Sequence, residues 1–278
     1  MEGSGKMPEI AEVETVRNTL KNQILGKKIK KVVINYRPII SSDPKEFETL
    51  LKGLSFTDIN RVGKWLIFEL EDYCLLSHLR MEGKYFLKSI DEPIAKHEHI
   101  IFEFTDETTM RYHDTRKFGR MILVPKEKLW DVEAIKKQGF EPNSKELTKE
   151  YLYEKITKKN LPIKSILLDQ TIISGLGNIY ANEVLFQAKI NPLKLGKDIT
   201  LDECEQIKVA TNKIIKKAIE DGGTTIRSYT SSLGVTGLFQ TKLVVHKREN
   251  ELCKICNTKI ENIKIGGRST YYCPHCQK

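Results

Sequence analysis

Cys253-Lys-Ile-Cys256 and Cys273-Pro-His-Cys276, near the carboxyl end, are the most informative stretch of this chain. The two Cys-x-x-Cys pairs are separated by sixteen residues, a spacing typical of a four-thiolate zinc site. Apolar residues alternate between them, and Gly266-Gly267 indicates a turn. The stretch therefore predicts a zinc ribbon, a two-stranded hairpin too small to fold without its metal. Two disulfides are the alternative, which the absence of any sign of secretion disfavours.

The predicted zinc site is structural, because four thiolates close the coordination shell and leave no position for water or substrate. Residues 242–278 carry eight Lys or Arg and three Glu, a local balance of +5. Arg268, beside the Gly-Gly turn, suggests that the hairpin tip contacts phosphates. The alternative is a basic surface that serves only solubility.

The composition favours a globular protein with an anionic partner. The 278 residues are 40% hydrophobic and 30% charged, with a net charge of +9, and this length allows two domains with cores of their own. Nucleic acid is a better partner than a membrane, since no long apolar run is present. Cys74 and Cys204, the two cysteines outside the ribbon, fit a reducing compartment, so we expect the cytoplasm.

The first half of the chain changes from a helical period to a strand period. Residues 1–7 are expected to be a leader or an artificial extension. From Pro8, apolar residues at Ile10, Val13, Leu20 and Ile24 predict one helix, with proline in its first turn. Between residues 28 and 125, short apolar runs at 32–34, 66–68, 74–76, 100–102 and 121–123 alternate with charged turns. This pattern predicts an antiparallel β-sandwich.

The second half is predicted to be helical, after a hinge near residues 138–142. Helices are expected at 146–158, 162–168, 178–188 and 202–221. Ser174-Gly-Leu-Gly-Asn178 precedes the third helix, and its amides could bind a phosphate or simply form a helix-turn-helix corner. The Gly-, Ser- and Thr-rich stretch at 223–237 is a mobile lid or a linker.

Six motifs, in their shared order and spacing, resemble one family over essentially the whole chain, the bacterial formamidopyrimidine-DNA glycosylases. They are Pro8-Glu-Ile-Ala-Glu-Val-Glu-Thr-Val-Arg17, Lys64, Ser77-His-Leu-Arg-Met-Glu-Gly83, Asp114-Thr-Arg-Lys-Phe-Gly119, Gly175-Leu-Gly-Asn-Ile-Tyr180 and the ribbon with Arg268.

The resemblance implies an α+β fold with a DNA groove between its halves. The expected parts are the leader at 1–7, a catalytic β-sandwich domain with its amino-terminal helix at 8–138, a hinge at 139–145, a helix-two-turn-helix domain at 146–222, a lesion-capping loop at 223–240 and the zinc-ribbon finger at 241–278.

The same resemblance implies the chemistry. Pro8 matches the family's nucleophile, an amino-terminal secondary amine that forms a Schiff base with the damaged sugar. Glu9 would be the general acid or base, although without the family it reads as an ordinary first-turn glutamate. Lys64 would touch phosphate and assist elimination, although a lysine at a strand start is otherwise a solvated charge. Arg268 would grip the phosphates that flank the lesion.

Other residues match the family's DNA contacts. His97, Arg116, Lys159 and Asn178 would bind DNA, with His99 as a second candidate for the histidine. Met81, Arg116 and Phe118 would fill the gap that a flipped base leaves in the duplex. Cys253, Cys256, Cys273 and Cys276 would hold one structural Zn²⁺. The partner is damaged double-stranded DNA, and we expect a monomer without membrane attachment, working at the bacterial nucleoid.

The chain departs from the family pattern at three places. Pro8 is preceded by seven residues in this sequence, and an amide nitrogen is no nucleophile. Ala11 replaces a usual second proline, and Asn182 replaces a usual aspartate.

Three other functions remain open. One is a lesion-binding protein without activity, and another is a zinc-ribbon nucleic-acid binder without preference for damage. The third is an endonuclease VIII-like enzyme for oxidised pyrimidines, which Met81 and the Arg116-x-Phe118 pair disfavour.

Overall fold

The computed structural model describes residues 7–224 and 238–278, which divide into two compact units. Of the described residues, the first unit contains 7–8 and 12–136, and the second contains 9–11, 137–224 and 238–278. Residues 1–6, and 225–237 of the predicted capping loop, lie outside the described residues. None of the described helices combines the length and apolar character needed to cross a membrane.

The predicted amino-terminal helix is confirmed as α1, Ile10–Ile24. It begins two residues after Pro8, because proline fits only at or before the first helical turn. Glu12 lies in its first turn and Lys21 in its last, which suits the helix dipole. Val13, Leu20 and Ile24 are buried in the core of the first unit.

Among its described residues the first unit has eight antiparallel strands: β1 Ile29–Ile34, β2 Phe56–Val62, β3 Trp65–Leu70, β4 Tyr73–His78, β5 Lys84–Ser89, β6 Glu98–Phe104, β7 Thr108–His113 and β8 Arg120–Pro125. They make two four-stranded sheets, ordered β1-β6-β7-β5 and β2-β3-β4-β8. Two short helices, α2 Pro44–Leu51 and α3 Glu133–Lys136, complete the unit. The predicted β-sandwich is confirmed.

Aromatic side chains join the two sheets. Phe56 of β2 lies edge-on to Phe102 and Phe104 of β6, at centroid distances of 6.2 and 6.0 Å. Phe56 also packs edge-on against Phe68 of β3, at 5.6 Å. Such pairs add to the stabilisation that their burial gives, so this cluster fixes the sandwich core.

The second unit, within residues 137–224 and 238–278, contains four α-helices: α4 Lys149–Thr157, α5 Ile163–Leu167, α6 Asn178–Gln187 and α7 Leu201–Glu220. Each lies within three residues of its predicted bounds. Thr148 caps α4, and Thr200 with Glu203 forms a capping box on α7, which satisfies the first amides of both helices. The Gly-rich turn leads into α6, which is buried along most of its length.

The carboxyl-terminal hairpin is confirmed as β9 Glu261–Ile265 and β10 Arg268–Tyr272. Gly266 and Gly267 form its two-residue turn with φ of +56° and +76°, the left-handed conformation that such turns require. Phe186 of α6 shares an apolar cluster with Val245, Cys253 and Ile260. The hairpin is therefore packed on α6.

Candidate active site

The four predicted zinc ligands converge in the second unit. The Sγ atoms of Cys253, Cys256, Cys273 and Cys276 all lie within 4.8 Å of one another. Cys253 and Cys276 are 3.9 Å apart, and Cys256 and Cys273 are 3.4 Å apart. Tetrahedral zinc with Zn–S bonds of about 2.3 Å needs sulfurs roughly 3.8 Å apart. The cluster fits one Zn²⁺ with a closed shell, so the ion is structural.

Glu9 is held by the amino terminus of α6. Its carboxylate accepts hydrogen bonds from the backbone amides of Ile179, at 2.8 Å, and Tyr180, at 3.3 Å. The side chain is only 3% exposed. The first amides of a helix have no partner within the helix and favour a negative charge. Glu9 is therefore fixed as a buried carboxylate one residue after Pro8, which is itself buried.

The Gly-rich turn makes room for this carboxylate. A Cβ on Gly177 would lie 2.3 Å from the carboxyl carbon of Glu9, and one on Gly175 would lie 2.7 Å from the Ile10 side chain. The amide of Ile10 also donates to the carbonyl of Gly175, at 3.0 Å. The amides of Ile179 and Tyr180, just after the turn, are occupied by Glu9. The suggestion that the amides of residues 174–178 bind a phosphate stays a prediction.

A buried lysine that sequence reasoning missed lies behind this helix end. Lys164 of α5 is fully buried, and its amine bonds to the carbonyl of Asn178, at 3.3 Å, and to the side-chain oxygen of Asn182. Burial lowers the pKa of Lys164 to about 7; Glu9 opposes this shift and Arg268 adds to it. No local pattern marks Lys164, which stands in a five-residue helix between Ile163 and Ser165.

The same helix anchors the ribbon. The carboxylate of Glu183 accepts from the amides of residues 244–246 at 2.8–3.0 Å. Asn182 bonds to the His246 ring at 2.8 Å, and the Asn178 amide donates to the carbonyl of Ser269 at 3.0 Å. These bonds fix the base of β10. Arg268, the exposed first residue of that strand, is therefore presented from a rigid support.

Lys159 is also in the second unit, just after α4. It is half-exposed and forms an ion pair with Asp169 at 3.1 Å. An exposed pair of this kind is weak, so a phosphate could compete for the lysine.

Lys64 lies in the first unit, in the two-residue turn between β2 and β3. Gly63 precedes it with φ of +56°, as a tight hairpin requires. Arg61 donates to the carbonyl of Gly63 at 2.8 Å and to the Glu14 carboxylate at 2.9 Å, so the turn is braced on α1. Lys64 is 7% exposed and lies near His78. Burial, with the charges of Arg80 and Lys64, lowers the pKa of His78 to about 3.

Met81, Arg116 and Phe118 lie on two loops of the first unit, at 79–83 and 114–119. Phe118 is 50% exposed, and the Arg116 guanidinium lies 5.0 Å from its ring centre. The buried carboxylate of Asp114 accepts from the amides of Arg116, at 3.0 Å, and Gly119, at 2.8 Å. The Phe118 ring is thus exposed on a loop that backbone hydrogen bonds hold in place.

Tyr112 ties the two loops together. A Cβ on Gly83 would lie 2.2 Å from the Tyr112 hydroxyl, and one on Gly119 only 1.8 Å from it. The side chains of Glu82 and Thr115 are also hydrogen-bonded to each other. Both loops therefore close on one buried hydroxyl, which sets the positions of Met81, Arg116 and Phe118.

The two candidate histidines differ in their surroundings. His97 is half-buried, immediately before β6. His99 is buried, and its Nε2 lies 2.9 Å from the carbonyl of Asp114. His97 is therefore the better placed of the two to contact a ligand.

The structure thus sorts the predicted residues by unit. Glu9, Asn178, Lys159, Arg268 and the four cysteines belong to the second, whereas Pro8, Lys64, Met81, His97, Arg116 and Phe118 belong to the first.

Comparison with known proteins places all three parts of the chain in one group. Residues 7–121 match the formamidopyrimidine-DNA glycosylase N-terminal domain, residues 138–230 its H2TH domain, and residues 250–278 the zinc finger found in FPG and IleRS. A sandwich, an H2TH domain and a four-cysteine ribbon together define a zinc-finger DNA glycosylase. The chain belongs to the formamidopyrimidine-DNA glycosylase family.

Relatives support this assignment over the full length. The formamidopyrimidine-DNA glycosylase of Lactobacillus delbrueckii subsp. bulgaricus is 46% identical over 272 residues, covering 98% of this chain and 100% of the relative. That of Bacillus licheniformis is 46% identical over 275 residues, with the same coverage.

Solved structures also support the family assignment. A Lactococcus lactis FPG variant bound to Fapy-dG-containing DNA matches with a TM-score of 0.92, at 39% identity, covering 98% of this chain and 100% of that one. The L. lactis Fpg bound to DNA with an abasic site matches with a TM-score of 0.91, at 39% identity, covering 97% and 99%.

Proposed function

We propose that this chain removes oxidised purines, such as 8-oxoguanine and formamidopyrimidines, from duplex DNA and then cuts the strand at the resulting site. The observation that carries the proposal is the buried Glu9 carboxylate, seated on the α6 amides directly after Pro8. The L. lactis relatives bound to Fapy-dG-containing DNA and to DNA with an abasic site support the formamidopyrimidine and abasic-site parts of the proposal.

In the first step the Pro8 nitrogen attacks C1′ of the damaged nucleotide. The bond from C1′ to the base breaks, and the base leaves with a proton. An amino-terminal secondary amine has a pKa near ~8, so a useful fraction is neutral at pH 7. The step requires a free amine, because resonance ties up the lone pair of a peptide nitrogen.

In the second step the sugar ring opens, and the nitrogen and C1′ form an iminium, a Schiff base. Glu9 is the group that would exchange protons with the sugar during opening. Its two backbone hydrogen bonds keep the carboxylate oriented for this role.

In the third step the iminium acidifies C2′. Loss of the C2′ proton expels the 3′ phosphate, and a second elimination expels the 5′ phosphate. Lys64 and Arg268 are proposed to stabilise the departing phosphates, since a fixed cation lowers the energy of the developing negative charge. Water then hydrolyses the iminium and restores the amine.

Binding to the duplex is proposed to use His97, Lys159 and Asn178 on the backbone. Met81 and Phe118 would fill the stack after base flipping, while Arg116 would bond to the orphaned partner base. The rigid loops around Tyr112 support this assignment, because a wedge must hold its position against the stacked bases.

The proposal is tested with duplexes that contain 8-oxoguanine, a formamidopyrimidine, an oxidised pyrimidine or a preformed abasic site. A protein beginning at Pro8 should excise the two purine lesions and cut all strands that carry an abasic site, and Glu9→Gln should slow excision by roughly 100-fold or more. Faster excision of the pyrimidine would favour the endonuclease VIII-like alternative. Tight binding without any excision would favour a lesion-binding protein.

A further inference from the structure

A basic cluster in the first unit is formed by Lys84, His97 and His113, and the proposed mechanism does not use Lys84 or His113. Lys84 of β5 and His113 of β7 are direct cross-strand partners. The His97 and His113 rings meet edge-on, with centroids 5.7 Å apart. Lys84 follows the Met81 loop by one residue, and His113 precedes the Arg116 loop by one. The cluster therefore joins the bases of both loops to the predicted DNA contact at His97.

The carboxylates around the cluster already bind other groups. Glu98, across the ladder from His113, is paired with Lys88 at 2.7 Å and with Arg111 at 2.9 Å. Asp114 accepts two backbone amides, and Glu82 bonds to Thr115. The Glu82 charge also reaches Lys84, but the Glu82 carboxylate is already bonded to Thr115. Lys84 therefore gives the cluster a positive charge, which favours an anionic ligand.

Each of the two half-buried histidines has one ring nitrogen available to a ligand. Among the described residues, Nδ1 of His97 and Nδ1 of His113 are buried without a hydrogen-bonding partner. Nε2 is then the nitrogen of each ring that can meet a ligand. Burial, with the nearby charge of Lys84, lowers the pKa of His113. A neutral imidazole with its hydrogen on Nε2 is a donor that an anionic oxygen can accept.

A buried guanidinium holds the cluster in place. Arg111 is 1% exposed and sits in β7, two residues before His113. It donates, at 2.7–3.1 Å, to the Thr109 hydroxyl, the Glu98 carboxylate and the carbonyls of Ser89, Glu92 and Pro93. These bonds tie the segment between β5 and β6 to the sheet, so His97 is fixed rather than carried on a free loop.

We propose that Lys84, His97 and His113 form one binding site for a backbone phosphate of the DNA, with Lys84 and His113 as contacts additional to His97. The proposal rests on the proposed function, since it takes duplex DNA as the ligand. Lys84 supplies the charge, and the two imidazoles supply directed N–H donors.

The test uses a duplex carrying a tetrahydrofuran abasic analogue, which is bound but resists cleavage through the iminium. Affinity is measured by fluorescence anisotropy across a salt series. Lys84→Met and His113→Ala should each weaken binding about 10-fold, and Lys84→Met should reduce the slope of log K against log salt by about 1. His113→Gln, which keeps a neutral donor, should stay within roughly 3-fold of the wild type.

The matched control is Lys45→Met, which removes an exposed lysine on α2 of the same unit and should leave both affinity and salt slope unchanged. Single methylphosphonates, placed in turn along the duplex, then identify the phosphate. At one position the loss caused by Lys84→Met should disappear, because the charge it meets is already gone.

Wild-type affinity in both Lys84→Met and His113→Ala would overturn the site. The site would also be overturned if the affinity lost through Lys84→Met simply added to the affinity lost through the methylphosphonate at every position. Such additivity would indicate a general effect on folding. Failure of the proposed function looks different: the wild-type protein would then bind damaged and undamaged duplexes equally, while the variants could still differ from it.

Discussion

Gly177→Ala should disable the enzyme without unfolding it. The backbone at Gly177 is extended, with φ of −136° and ψ of −164°, so alanine meets no conformational strain there. Its Cβ, however, would lie 2.3 Å from the carboxyl carbon of Glu9 and 2.6 Å from Oε1. Carbon atoms pack at about 3.5 Å, so the carboxyl group must move by about 1 Å.

That displacement breaks the bonds from Glu9 to the amides of Ile179 and Tyr180. The lost helix-end interaction costs roughly 1 kcal/mol of stability, which is small for a domain of this size. Misplacing a catalytic group by about 1 Å costs on the order of 100-fold in rate. Single-turnover excision of 8-oxoguanine by a protein beginning at Pro8 should therefore slow by about that factor, with little change in the thermal unfolding midpoint.

The control for this prediction is Glu9→Ala. If Gly177→Ala acts through the carboxylate, adding it to Glu9→Ala should cause almost no further loss. The reasoning is refuted if Gly177→Ala keeps its rate within a factor of about three, or if its effect is equally large in both backgrounds.

Three further predictions follow from other parts of the chain. Cys256→Ser should release the single zinc ion and weaken DNA binding; metal analysis showing retained zinc with full affinity would contradict the structural role. Gly119→Ala, whose Cβ would lie 1.8 Å from the Tyr112 hydroxyl, should impair excision more than cleavage of a preformed abasic site. Adding Tyr112→Phe to this variant should partly restore excision, whereas equal losses on both substrates would argue for general unfolding. Lys164→Met should stabilise the protein at pH 7 by roughly 1–4 kcal/mol. Because burial lowers the folded-state pKa of Lys164 to about 7, the unfolded chain binds the extra proton between about pH 7 and 10. Wild-type stability therefore falls as pH falls through that window. Denaturant unfolding should show that the difference in unfolding free energy between Lys164→Met and the wild type shrinks at high pH.

The sequence predicted the parts whose signal is local. The cysteine spacing and the Gly266-Gly267 turn were enough for the ribbon, and apolar periodicity was enough for α1 and the long helices. Strands β2, β5 and β7 were missed because they carry many polar residues, and β2 includes Asp58, Asn60 and Arg61. Helix α2 was also missed, although Asp43-Pro44 is a common sequence signal for a helix start. In the structure the Asp43 side chain accepts hydrogen bonds from the amides of Lys45 and Glu46.

The contacts that define the site could not be read in the same way. The bond between Glu9 and α6 joins residues about 170 positions apart, and no local pattern reveals which group a helix end will hold. For the same reason the sequence does not reveal that Gly177 makes room for Glu9. Lys164 and the contact of Tyr112 with two glycines also depend on tertiary packing alone.

The central claim, that Pro8 is the nucleophile, is tested most directly by trapping its iminium. Two proteins are compared on 8-oxoguanine duplex with borohydride present, one beginning at Pro8 and one that keeps residues 1–7. We expect strong covalent trapping in the first, mapped to Pro8 by peptide analysis, and little in the second. Equal trapping in both proteins, or a covalent bond mapped to Lys64, would contradict it.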